Sequence, residues 1–335
     1  MDYINLGRTG LKVSRLCLGT MNFGPRANES ESFAIMDAAL DAGVQFFDTA
    51  DVYGWKQFEG YTEEIIGKWI SSTGNRERIV LATKFQGEMG TGPNDRGASA
   101  KYIRSAVESS LKRLKTDYID LFQMHHTNRD TPWEEVWQAF EVLVQQGKVL
   151  YAGSSNHAAW QIVQANEAAK KRNFLGYVAE QCKLSLLCRF NELEVLPACK
   201  AYGVGVIPWS PLEGGILAGR PQVSEIMRRG RVESIDRVNK INAQLDAWEA
   251  LCNELGHTPS QVGLAWTMHL PAVTAPIIGP RTMEQFRDAL GALEVKLGPE
   301  ILNRIDQIFP PVGDPEMIAK STNLYRYESP EAFAW

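Results

Sequence analysis

The stretch "VQFFDTADVYG", residues 44–54, is an apolar run that stops at an acid, Asp48, and is followed five residues later by Tyr53 in a segment too polar for a core. Such a run reads as a strand ending at a polar rim. The form recurs along the chain. Runs rich in Val, Ile, Leu or Phe end near Thr20 ("RLCLGT"), Lys84 ("RIVLATK"), His125 ("YIDLFQMH"), Ser155 ("VLYAGSS"), Gln181 ("YVAEQ"), Trp209 ("GVGVIPW") and Gly279 ("VTAPIIG"). Between them lie stretches with apolar residues at three- and four-residue spacing, such as "ESFAIMDAALDAG", "TEEIIGKWISS", "SAKYIRSAVESSLKRL" and "PWEEVWQAFEVLVQQGK". Alternating strands and amphipathic helices are repeated β-α units, and eight strands is the number that closes a (β/α)8 TIM barrel. Ahead of the first, "YINLG", "RTG" and "LKVSRLCLGT" predict a β-hairpin. No linker or change of composition divides residues 1–335, so one domain is expected. An open doubly wound sheet would carry G-x-G-x-x-G after its first strand. Here that strand runs into "LGTMNFG", and "GEMGTG" (87–92) falls in a long polar loop.

Composition narrows the function. A formal charge of -5 with dispersed basic residues gives no footprint for nucleic acid. The start "MDYINLGRTG" has no basic region followed by an apolar stretch, and no run approaches the roughly 18 apolar residues of a membrane span. The reading is a cytoplasmic chain with no membrane partner. The five cysteines form no C-x-x-C pair and the five histidines no H-E-x-x-H, so neither a disulfide framework nor a metal site is expected.

In a barrel of parallel strands all C-terminal ends emerge on one face, where active sites are built. Asp48, Lys84, His125, Ser155, Asn156, Gln181, Trp209 and Ser210 then converge. Singly, each has a structural explanation: Asp48 as a helix cap, Lys84 as a solvated charge, His125 as a core histidine, Tyr53 as packing. A lysine, an acid and a histidine at one rim of strands this apolar are not needed for folding. The set suits a phenol acting as general acid, because a tyrosine titrates near 10 and gives up its proton more readily beside a cation. Lys84 is that cation, Asp48 holds the ammonium charged and oriented, and His125 hydrogen-bonds a substrate oxygen. A lysine at a strand end also suits a Schiff-base lyase. A fixed ammonium beside Asp48 opposes that reading, since the attacking amine must be neutral.

"GRTGLKVSRLCLGTM", "FFDTADVYG", the strand-ending Lys84, "YIDLFQMHH", "AGSSN", "LPACKAYGVGVIPWSPLEGGILAGR" and "IIGPRTMEQF" together resemble the aldo-keto reductases, over essentially the whole chain. The chain is most similar to the bacterial branch that also resembles β subunits of voltage-gated potassium channels. The resemblance implies a (β/α)8 barrel that binds NADPH (NADP+) at its C-terminal rim, and a tetrad of Asp48, Tyr53, Lys84 and His125 that reduces a small-molecule carbonyl substrate to an alcohol. It implies cofactor contacts from Thr20, Met21 and Asp48. Ser155, Asn156 and Gln181 are implied to hold the nicotinamide carboxamide, with Trp209 under the ring. Ser210, Pro211, Leu212, Gly214 and Arg220 fall in a phosphate-embracing loop, and Gly279, Arg281, Gln285 and Asp288 at the adenosine end. Arg281 is the expected partner of a 2'-phosphate, whereas Asp288 close by would favour an unphosphorylated ribose. Ala289 departs from the family pattern, where an asparagine commonly contacts adenine. Trp55, Phe85, His126, Trp209 and the loop 86–97 are expected around an apolar or aromatic carbonyl compound. A redox-sensing channel subunit is the alternative that the resemblance carries. A homo-oligomer is compatible with the sequence, and the tail "NLYRYESPEAFAW" has no periodicity that assigns its place.

Overall fold

The first strands β1 (Tyr3–Asn5) and β2 (Lys12–Ser14) pair antiparallel, Ile4 opposite Val13. Leu6 and Val13 from this hairpin pack with inward residues of the main sheet, including Phe46, Leu121 and Val178, so the hairpin closes one end of the barrel. Gly7 makes the fit: its φ is +54°, and a Cβ there would lie 2.5 Å from the Gly203 carbonyl oxygen and 2.6 Å from that of Val178. Arg8 reaches on to the carbonyls of Tyr202 and Leu175 and to Asn166 Oδ1 at 3.1 Å.

A computed structural model describes residues 1–54, 59–219 and 241–312. Its main sheet has eight strands: β3 (Cys17–Gly19), β4 (Phe46–Asp48), β5 (Val80–Phe85), β6 (Ile119–Met124), β7 (Val149–Ser155), β8 (Tyr177–Gln181), β9 (Gly205–Val206) and β10 (Ile277–Ile278). Every neighbouring pair is parallel, with β10 beside β3. The circle closes where Val206 N donates to the Ala272 carbonyl and Thr274 N to that of Val206, both at 2.8 Å. The fold is the (β/α)8 barrel that the alternation predicts. Its seventh and eighth strands are shorter than the apolar runs because Pro208 and Pro276 have no N–H for the ladder.

Helices α1 (Glu29–Asp41), α2 (Tyr61–Thr73), α3 (Ala100–Leu114), α4 (Trp133–Gln145), α5 (Ala159–Lys170) and α6 (Val195–Tyr202) follow successive strands. After β9 come a 3-10 turn at Glu213–Ala218, α7 (Asn242–Leu255) and α8 (Pro259–His269); α9 (Met283–Leu290) and α10 (Pro299–Ile308) end the described chain. Among the described residues no helix is long and apolar enough to cross a membrane. The strands obey a period of two. In β5, Val80 and Ala82 face the barrel interior while Leu81 and Phe85 join the layer between sheet and helices. Thr83 points outward too, bonding Glu63 of α2 at 2.6 Å, so Lys84 points in. That parity decides which residues reach the site.

Candidate active site

Asp48 lies opposite Gly19 of β3 and Ala82 of β5, its carboxylate 3% exposed at the top of the barrel interior. Lys84 is fully buried beside it. Its ammonium donates to Asp48 Oδ1 at 2.6 Å, to the Thr49 carbonyl at 2.7 Å and to Tyr53 Oη at 3.3 Å. Three protons thus meet three acceptors, which fixes the side chain. Burial alone would depress Lys84, but Asp48 and Tyr53 outweigh it and hold the group above the ordinary lysine range.

Tyr53 hangs over this pair from the turn after β4, anchored where Tyr53 N donates to the Ala50 carbonyl at 3.2 Å and Thr62 N to the Tyr53 carbonyl at 3.3 Å. The next residue is Gly54, with φ +119° and no room for a Cβ against Tyr61. Burial raises the Tyr53 phenol, Lys84 draws it down, and burial prevails, so the phenol lies above its usual range. The sequence predicts the pull of Lys84 but not the larger opposing effect of burial. His125 meets Tyr53 edge to face at 5.8 Å and stacks parallel on His126 at 4.6 Å. Burial, then Lys84 and His126, push His125 well below the usual histidine range, leaving the ring neutral. Its Nδ1 is buried with no hydrogen-bond partner.

The other oxygen of Asp48 has partners too. Oδ2 accepts from Gln181 Nε2 at 2.9 Å and from Gln123 Nε2 at 3.2 Å. One hydrogen of the Gln181 amide is thus given to Asp48, and that contact uses neither its second hydrogen nor its oxygen. No motif singles out Gln123, and the signal that points to it is its place two residues before His125, on β6.

A cavity of about 1110 Å³ runs from Tyr53, His125 and His126 past Ser155, Asn156 and Trp209 to Arg281, Gln285 and Asp288. Thr20, Met21, Gln181, Ser210, Pro211, Leu212, Gly214 and Gly279 also line it. Asn156 holds a left-handed φ of 58°. Its amide donates to the His125 carbonyl at 3.1 Å and to Ser155 Oγ at 3.0 Å, and its oxygen accepts from Trp209 Nε1 at 3.0 Å. Ser155 in turn donates to the Gln181 carbonyl at 2.9 Å. Beyond Trp209 the chain turns through Ser210 (φ 52°), Glu213 (φ 51°), Gly214 and Gly215. Glu213 ties that turn down through Lys183 at 2.8 Å and Ser185 at 2.8 Å.

At the far end, Gln285 Oε1 accepts from Arg281 N at 2.9 Å. Asp288 takes hydrogen bonds from Thr258 at 2.9 Å, Gln261 at 3.1 Å and Ser260, which joins α9 to the first turn of α8. An acid with these partners is occupied within the protein. It lines the cavity at this end. Ala289 lines the cavity with no polar side-chain atom to offer. Asn22, Arg26, Thr258 and Ser260 line it as well, and the sequence had not pointed to them.

Phe85 is not at the site. It is fully buried in the outer layer, stacked on Phe122 at 4.7 Å, because Lys84 points inward and its neighbour must point out. The loop 86–97 does not line the cavity either. It folds on itself, Asp95 accepting from Gly92 N at 2.8 Å while Met89 N donates to the Asp95 carbonyl at 2.9 Å. Trp55, Arg220 and the C-terminal tail lie outside the described residues.

Comparison with known proteins places this geometry. A model of the aldo/keto reductase family matches residues 15–309. The chain is 51% identical, over 100% of both lengths, to an uncharacterized oxidoreductase of Bacillus subtilis, YrpG. It is 35% identical to a probable voltage-gated potassium channel subunit beta of Oryza sativa subsp. japonica, over 92% of this chain and 96% of that one. It is 33% identical to versiconal hemiacetal acetate reductase of Aspergillus parasiticus, over 93% and 98%.

Proposed function

The chain belongs to the aldo/keto reductase family, and from that premise we propose that it reduces the carbonyl group of a small aldehyde or ketone to an alcohol, with NADPH as cofactor. The observation that carries the reading is the position of Lys84 Nζ, buried and shared among Asp48, Thr49 and Tyr53. A phenol beside a fixed ammonium can protonate a neighbouring oxygen because the charge left behind is matched as it forms.

In this reading each residue has one task. Tyr53 keeps its proton at neutral pH, since burial holds the phenol above its ordinary range, and donates it to the substrate oxygen. Lys84 offsets the phenolate, and Asp48 keeps the ammonium in place. Neutral His125 carries its proton on Nε2, because an unpartnered lone pair at the buried Nδ1 is better tolerated than an unpartnered N–H. It thereby offers the substrate oxygen a second donor. Trp209 and His126 wall the reacting end of the cavity.

The residues present fit a nicotinamide dinucleotide. The cavity, about 1110 Å³, exceeds the roughly 300–1,000 Å³ of ordinary small-molecule sites. Its wall includes Gly214 and Gly215 at positive φ, where backbone takes the place of a side chain. Ser155, Asn156 and Trp209 would hold the nicotinamide end and Arg281 the far end; when bound, the cofactor supplies the hydride. The Schiff-base reading is weakened by an ammonium held above the ordinary lysine range by its acceptors.

The test is a panel of aliphatic and aromatic aldehydes and ketones, followed by loss of NADPH absorbance, with Tyr53→Phe alongside. Turnover by the wild type and its collapse in Tyr53→Phe are expected. Tight NADPH binding without turnover on any carbonyl would instead favour a redox-sensing subunit, a reading prompted by the likeness to the rice protein.

A further inference from the structure

Gln123 has no part in the tetrad, yet it lies at the same level of the barrel. The register sets it opposite Lys84 on one side and Gly153 on the other. It is fully buried, and its amide nitrogen donates to Asp48 Oδ2 at 3.2 Å. Its amide oxygen, in contrast, is buried with no partner. Leucine or methionine would fill the same space without an orphaned carbonyl, so what the amide adds here is its donor to Asp48. The neighbouring strand also makes way for it. A Cβ at Gly153 would stand 2.9 Å from Gln123 Cγ, closer than such contacts occur.

We propose that Gln123 is a positioning residue for carbonyl reduction: with Gln181 it locks the rotation of Asp48, and through Asp48 it sets the place of Lys84 beneath Tyr53. The inference rests on the reading of the site as a reductase. Lys84 is 2.6 Å from Asp48 and 3.3 Å from Tyr53, so the carboxylate is the nearer partner and the ammonium moves with it. Without Gln123, Oδ2 keeps only the Gln181 donor at 2.9 Å, and a carboxylate with one donor fewer can turn. Its lysine then leaves the phenol at the moment when the phenolate charge develops.

The experiment uses Gln123→Leu and Gln123→Glu in the full chain, with wild type and Tyr53→Phe as references. Gln123→Leu is expected to lower kcat by about tenfold to a hundredfold, the scale of a displaced catalytic group. Cofactor affinity, read by quenching of tryptophan fluorescence, is expected to stay within about threefold. Gln123→Glu gives a signature that mere packing lacks. Burial and the adjacent Asp48 raise the new carboxyl, which when protonated donates to Oδ2 as the amide does. Activity relative to wild type is therefore high at low pH and falls as pH rises and the carboxyl ionises.

A flat ratio across pH in Gln123→Glu, or wild-type kcat in Gln123→Leu, overturns the proposal. Equal loss of kcat and of cofactor affinity does so too, since that marks a structural role. A readout independent of turnover is the side-chain amide NMR signal of Gln123, assigned by its absence in Gln123→Leu. It is expected to move in Asp48→Asn, and no movement refutes the contact. Failure of the reductase reading appears separately, as a wild type that reduces no carbonyl or a Tyr53→Phe variant that matches it.

Discussion

Replacing Lys84 by methionine removes the ammonium and keeps most of the side-chain volume, so two consequences can be separated. At 3.3 Å from Tyr53 Oη, and with an effective dielectric near 20, a full phenolate would attract the ammonium by about 5 kcal/mol. If roughly half of that charge has formed in the transition state, about 2.5 kcal/mol is lost, or close to a hundredfold in kcat. The second consequence is structural. Asp48, 2% exposed, keeps its two glutamine donors but loses its counter-charge, and breaking a buried pair from one side costs about 3–5 kcal/mol. Steady-state reduction of a good carbonyl substrate measures the first effect and urea unfolding the second. Adding Asp48→Asn to Lys84→Met removes the uncompensated charge. Stability should then recover while kcat does not. Recovery of kcat in the double variant, or less than a threefold loss in the single one, would refute the assignment of Lys84 as the group that offsets the phenolate.

Other outcomes follow from the same site. Tyr53→Phe is expected to lower reduction by about 10²- to 10⁴-fold with NADPH affinity unchanged; retention of more than about a tenth of the rate would exclude Tyr53 as the proton donor. Arg281→Ala is expected to weaken NADPH by about ten- to a hundredfold and leave NADH almost untouched, and equal losses in titrations of both cofactors would remove Arg281 as reader of the 2'-phosphate. His157 is buried, and desolvation lowers it to about 4, below its value of about 6.5 in an unfolded chain. The unfolded state therefore takes up the proton first, and the contribution of His157, present above about 6.5, is lost as pH falls toward 4, up to about 3 kcal/mol in all. Urea unfolding at pH 4.5 and 7 should show a smaller acid loss in His157→Gln, and equal losses would refute the linkage.

The barrel and the rim were legible because their signals are local. Most of the apolar runs end in a polar residue, and strand direction brings those ends together. What the sequence does not show depends on parity or on distant neighbours. Phe85 is expected around the pocket, whereas a period of two sends it to the face opposite Lys84, against Phe122. The same rule, counted back from His125, would have found Gln123. Asp288 has partners in Thr258, Ser260 and Gln261, which lie about 30 residues earlier in the chain, and nothing local reveals them. The direction of the Tyr53 shift is hidden from the sequence for a related reason. Its cation is readable from the sequence, while the burial that outweighs it comes from the packed whole.

Asp48 shows why this chemistry belongs inside the barrel. A carboxylate withdrawn from water is tolerated only with donors around it. Here they come from separate strands: Lys84 on β5, Gln123 on β6 and Gln181 on β8. No single β-α unit could supply them, because successive inward positions of one strand lie on different levels. Closing the sheet brings one inward position from each strand to the same height, and a single acid can then be bound from three sides. The residue that holds the ammonium beneath Tyr53 is thus fixed by the curvature of the whole sheet. The loop above it is left to carry only the tyrosine.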